Sequence, residues 1–90
     1  EMRIKNYPNP FNPSTTISFE LAKAGAAELS IYNTRGQKVR SLLHGDLDQG
    51  NHAVTWDGKD EAGNNLASGL YFYRLTNGGR SITKKMLMLK

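Results

Sequence analysis

"GLYFYRLTNGGRSITKKMLML", residues 69–89, reads as two strands joined by a tight turn. In its first half Tyr71, Tyr73 and Leu75 fall on one side, and Leu70 and Phe72 on the other. That is the two-residue period of a β-strand. Asn77-Gly78 follows within "TNGGR", the strongest short signal for a hairpin, because its turn needs φ > 0 where these residues accept it. The second half closes the chain with Met86 and Met88 on one side and Leu87 and Leu89 on the other.

Working outward, the same alternation recurs. "TTISFEL" (15–21) sets Ile17, Phe19 and Leu21 against Thr16, Ser18 and Glu20, and "AELSIYN" (27–33) sets Leu29 and Ile31 against Glu28, Ser30 and Tyr32. "NHAVTWDG" (51–58) puts Val54 and Trp56 on one face. "QKVRSLLHG" (37–45) is less regular: Leu42 and Leu43 point opposite ways, the mark of a bulge or a strand end. "NTRGQ" (33–37) has Gly36 where a hairpin needs φ > 0, whereas "DGKDEAGNNLASG" (57–69) is a longer loop, read as a crossing between sheets. With a short strand before Tyr7, about seven strands follow one another at spacings of about 8 to 14 residues, the pattern of an all-β, immunoglobulin-like antiparallel β-sandwich.

All three prolines, Pro8, Pro10 and Pro13, fall in "NYPNPFNPSTT" (6–16). Each removes a backbone donor, fixes φ and drives the preceding residue out of the α region. This stretch is therefore read as an irregular rib outside any ladder, and residues 1–13 as a proline-rich lead-in to a sandwich over 14–90. Tyr7 and Phe11 are expected to pack across one open edge.

Ninety residues make one domain, large enough to bury roughly 60 to 65% of the unfolded surface. Without cysteine there is neither disulfide nor thiolate chemistry. No apolar run is long enough to cross a bilayer, and no signal peptide is recognisable. The chain opens at Glu1, so a piece of a longer protein is expected, with any export signal upstream. The net charge of +4 is uneven: Glu61 is the last acidic residue, and Arg74, Arg80, Lys84, Lys85 and Lys90 follow it. A basic end attracts nucleic acid, anionic lipid or an acidic protein surface; it also guards an edge strand against aggregation.

Catalysis has little to stand on. His44 and His52 are the only histidines, with Asp46 and Asp48 near the first, but no serine sits in a nucleophile-elbow context. Asp57, Asp60, Glu61, Asn64 and Asn65 offer oxygen ligands of the kind calcium takes, yet their order does not meet the EF-hand spacing. The same residues serve tight turns through their own backbone bonding, so neither a metal nor a cofactor is expected. Aromatics and cations are not interleaved as in single-strand nucleic-acid binders. Tyr32 and Phe72, if outward, are aromatics of the sort a carbohydrate stacks on.

The last strand is the anomaly, because a half-buried strand should be polar outside. Leu87 and Leu89 are either covered by the rib or presented to a partner within a frame of Lys84, Lys85 and Lys90. Strand addition at this edge is one physical route to such recognition.

The assembled chain, over residues 6–90, resembles a known family. The matching residues are Tyr7 to Pro13, Thr15-Thr16-Ile17, Ile31-Tyr32-Asn33 with Gly36, Gly50, Trp56-Asp57-Gly58, Gly63, Ser68 to Tyr71 running to Arg74-Leu75, and Lys85 to Lys90. They are similar to the C-terminal sorting domain (type A) of cargo exported by the type IX (Por) secretion system of Bacteroidetes-type bacteria. The resemblance implies a non-catalytic address on a fused upstream cargo, read by outer-membrane secretion machinery after passage through the periplasm. In many members a sortase-like protease then removes the domain and joins the cargo to the cell surface. It further implies that Lys85 to Lys90 matter most for recognition, without membrane insertion. "WDGKDEAGNNLASGLYFYRL" (56–75) is also similar to the immunoglobulin-like domain of flagellar hook-capping proteins, an assembly module. A fibronectin-like spacer in a secreted enzyme is a third reading.

Overall fold

In the computed structural model, which describes residues 2–90, seven strands follow in chain order. They are β1 (Arg3–Tyr7), β2 (Thr15–Leu21), β3 (Gly25–Tyr32), β4 (Lys38–Leu47), β5 (Gly50–Trp56), β6 (Gly69–Asn77) and β7 (Arg80–Met88). They form two stacked antiparallel sheets, ordered β1-β2-β5 and β4-β3-β6-β7. The 57–68 loop does cross between sheets, since β5 and β6 lie on opposite layers.

Alternation places the core. Ile4, Ile17, Phe19, Leu21 and Trp56 from the first sheet meet Leu29, Ile31, Tyr73, Leu75, Met86 and Met88 from the second, all buried. Burying each such side chain contributes about 1.5–3 kcal/mol. Trp56 sits at the centre, its ring 5.4 Å from Tyr71 in an edge-on arrangement and 5.8 Å from Phe11. Its indole N–H donates to the Lys59 carbonyl at 2.9 Å, so the buried polar atom is satisfied.

The irregular stretch before His44 holds two bulges. Leu29 pairs with Leu43 and Ser30 with Ser41, skipping Leu42; Ile31 pairs with Arg40 and Tyr32 with Lys38, skipping Val39. Each skip shifts the alternation by one residue, which is why Leu42 and Leu43 are both half-buried rather than one in and one out.

The short strand expected before Tyr7 is present, Arg3–Tyr7 laddered on β2 within the segment read as lead-in. One expectation for the lead-in needs correction. Tyr7 does not pack on an edge but is 80% exposed, because it shares the outward parity of Arg3 and Lys5. The inward place goes to Asn6, whose Oδ1 accepts the Tyr73 hydroxyl at 3.1 Å and whose amide donates to Thr15 Oγ1 at 3.2 Å. Thr15 in turn donates to the Pro8 carbonyl at 2.8 Å, tying the rib to the sandwich.

Phe11 behaves as expected and is buried at the open edge of β7. The rib is nonetheless not wholly outside a ladder, since Phe11 forms a parallel bridge with Met88. Beside it Gly58 turns the chain at φ +79°, and a Cβ there would stand 2.8 Å from the Pro13 carbonyl.

Candidate functional site

β7 does two jobs with one alternation. Met86 and Met88 point inward and are almost fully buried, while Leu87 and Leu89 remain 36% and 49% exposed. The register Leu70↔Leu87 puts a third exposed leucine directly across the ladder, and Phe72↔Lys85 sets a half-buried phenylalanine beside a lysine. Leu70, Leu87 and Leu89 thus form an apolar stripe on the outer face of the four-stranded sheet.

The residues proposed from sequence divide. Lys85, Leu87 and Leu89 share the outward face. Lys90 borders it, held by its backbone N–H to Ser68 Oγ at 3.0 Å and by its ammonium to the Leu66 carbonyl. Lys84 does not join them: it has the parity of Ile82 and Met86 and lines a cleft at the open side of the sandwich. Leu70 and Phe72 were missed as members of the site. A signal existed, because a two-residue Gly78-Gly79 turn pairs Asn77 with Arg80 and thereby fixes every later pair.

The rib covers the edge of this strand and leaves its face open. Leu87 N–H donates to Asn9 Oδ1 at 3.0 Å, Phe11 N–H to the Leu87 carbonyl at 3.0 Å, and Leu89 N–H to the Phe11 carbonyl at 2.8 Å. The outward backbone groups at Leu87 and Leu89 are therefore occupied, and strand addition there is closed. What stays available is side-chain surface.

The polar clusters are engaged within the fold. Asp60 Oδ1 accepts the backbone N–H groups of Ala62 and Asn64 at 3.0 and 2.9 Å, as in an Asx turn. The Asn64 N–H, foremost among these bonds, holds the Asp60 carboxyl below the usual range. Burial works to raise the Asp57 pKa, but the Lys59 N–H and the Arg40 guanidinium, 3.1 Å away, outweigh it and leave it lowered. Glu61 docks the loop on the edge of β4, its N–H donating to the Val39 carbonyl and its carboxylate accepting the Ser41 N–H. Among the described residues no group of three or more His, Asp or Glu side chains is placed to hold a metal ion. His52 stacks on Phe19 at 5.2 Å with Nε2 2.7 Å from the Asp48 carbonyl, and His44 lies opposite Glu28 on the exposed end of β4.

Comparison with known proteins agrees with this architecture. The profile of the FlgD Ig-like domain family matches residues 6–80. No curated protein matches the chain. Among solved structures, dimeric latent PorU from Porphyromonas gingivalis superposes with a TM-score of 0.77 at 22% identity, covering 98% of this chain and 9% of PorU. PorZ of the same organism, described as an essential bacterial surface component of the type IX secretion system, gives 0.67 at 20% identity, covering 97% and 11%. FlgD from Xanthomonas campestris, described in connection with hook capping in flagellar assembly, gives 0.62 at 22% identity, covering 96% and 60%. At these identities the likeness is one of fold, an immunoglobulin-like sandwich. The chain spans about a tenth of the PorU and PorZ chains and less than two thirds of FlgD.

Proposed function

Because the chain belongs to the FlgD Ig-like domain family, we propose that it is a non-catalytic recognition module, and specifically a C-terminal sorting signal. It directs a fused cargo from the periplasm through the outer membrane by the type IX secretion system, to the medium or the cell surface. A sortase-like protease removes it where the cargo is anchored. The observation that carries this reading is the division of labour in β7: inward methionines close the core while Leu87 and Leu89, joined by Leu70, present an apolar stripe beside Lys85 and Lys90. An exposed apolar stripe of this kind suits capture by a second protein. The fold it shares with PorZ, described as a surface component of the type IX secretion system, supports this reading.

A second reading is an assembly or spacer module of the hook-cap type, favoured by the family match over residues 6–80 and the likeness to FlgD. The two part in a secretion assay. A folded reporter is fused, behind an export signal, to residues 1–90 in a host with a type IX system. Truncation after Lys84 is a poor control, since it deletes buried Met86 and Met88. The informative variant is Leu87→Asn with Leu89→Asn and Lys85→Gln. Sorting predicts that the parent fusion leaves the cell and the folded variant stays periplasmic. If the folded parent itself stays in the periplasm, the assembly or spacer reading replaces it.

A further inference from the structure

The two sheets do not close on one another along their whole length. Where β1, β2 and β5 face the first half of β7 lies a cleft of about 830 Å³, lined by Ile4, Phe19, His52 and half-buried Ile82. Lys84 lines it on the inward parity of β7, and Arg3 and Lys5 stand at its rim on the outward parity of β1; among the described residues its one carboxylate is Glu20, directly across the ladder from Arg3. Among the described residues the ion pairs are Lys38–Glu28 and Arg40–Asp57, so none of Arg3, Lys5 and Lys84 is held in a close ion pair. On one side β1 pairs with β2; among the described residues no strand pairs with its other side.

From these features we propose that the cleft is a docking site for an extended acidic segment of a partner protein, added as a strand to the free edge of β1. Main-chain bonds to β1 would supply affinity. Alternate apolar side chains would enter the cleft over Ile4 and Ile82, and the carboxylates between them, facing outward, would lie beside Arg3 and Lys5. A second copy of this chain is a poor occupant, because pairing β1 with itself antiparallel sets Arg3 and Lys5 against Arg3 and Lys5. Basic side chains on an edge, and a lysine on the inward parity as at Lys84, guard a sheet against its own kind. The same charges admit a strand of opposite sign, so exclusion of self and choice of partner come from one set of residues. This site is separate from the leucine stripe, which lies on the outer face of the four-stranded sheet.

The test is titration of the 90-residue domain with the blocked peptide Val-Glu-Val-Glu-Val-Glu-Val and with its lysine counterpart, followed by methyl and amide NMR. The glutamate peptide should bind, shifting the Ile4 and Ile82 methyls and the amides of β1, while the lysine peptide does not. Arg3→Glu with Lys5→Glu, both exposed positions, should weaken the glutamate peptide by about ten-fold or more and confer binding of the lysine peptide. Absence of binding, equal binding of both peptides, or shifts confined to Leu70 and Leu87 would each overturn the proposal.

Discussion

Phe11 and Met88 are bridged in parallel at the edge of the four-stranded sheet, the phenylalanine buried against Trp56 and the methionine buried behind it. A residue from the proline rib thus completes the strand on which the candidate site is built. Phe11→Ala should cost about 3–5 kcal/mol, the usual loss for a buried phenylalanine. Hydrogen exchange should quicken first at the Leu87 and Leu89 amides, whose acceptors lie on the rib. Tyr7→Ala, at an exposed position, should change stability by less than about 0.5 kcal/mol. Equal losses in urea unfolding would mean that the rib is not pinned through Phe11.

Gly58 tests the close approach of rib, loop and β7. Its φ is +79° and an added Cβ would meet the Pro13 carbonyl at 2.8 Å and the Met88 sulfur at 3.1 Å. Gly36 has nearly the same φ, +80°, with nothing within 4 Å. Gly36→Ala should therefore show the backbone cost alone, about 1–3 kcal/mol, and Gly58→Ala more than that. Matching midpoints for the two variants would remove the steric argument.

Stability should fall at both ends of the pH scale for separate reasons. Burial pushes the Tyr71 and Tyr73 hydroxyls up, so the folded chain keeps those protons longer than the unfolded chain. Their contribution is full below the ordinary tyrosine range, about pH 10, and is lost as pH rises through it. Tyr73→Phe should flatten that alkaline limb and, by leaving Asn6 Oδ1 without its donor, cost about 1–2 kcal/mol at neutral pH. Lys38, then Ser30, lowers the Glu28 pKa through hydrogen bonds of 2.6 and 2.7 Å. That contribution is present above the ordinary carboxylate range and disappears as pH falls below it. Glu28→Gln should shallow the acid limb in thermal melts, and added salt should shrink the difference because the pair is exposed.

Inward and outward residues of β7 should separate folding from recognition. Leu87→Asn and Leu89→Asn should each lower stability by less than about 1 kcal/mol, since both side chains are partly in water. Met86→Asn or Met88→Asn should cost at least about 2 kcal/mol by placing an amide in the core. Secretion of the fused reporter should follow the leucines among variants that remain folded. If it follows only stability, the stripe has no recognition role.

Much of this was legible in the residue pattern. The alternation of Tyr71, Tyr73 and Leu75, and of Ile17, Phe19 and Leu21, gave the strands and their inner faces, because a pleated strand repeats every two residues. Asn77-Gly78 and Gly36 marked both hairpins through the φ they permit. The bulge near Leu42 showed as a break in period. Tyr7 misled because an aromatic among prolines looks like an anchor, whereas strand parity turned it outward and gave the inner place to Asn6. Lys84 was grouped with Lys85 by adjacency, and neighbours on a strand face opposite ways.

The sequence by itself therefore determined an all-β sandwich, its turns, and the two-faced character of the last strand. These follow from local rules in which each residue answers to near neighbours. Tertiary structure alone decided that the rib closes the edge of β7, that Leu70 joins Leu87 and Leu89, and that Arg3, Lys5 and Lys84 border one open cleft. Such relations join residues as much as 81 positions apart, as between Arg3 and Lys84. They depend on how two sheets stack, which no local period records.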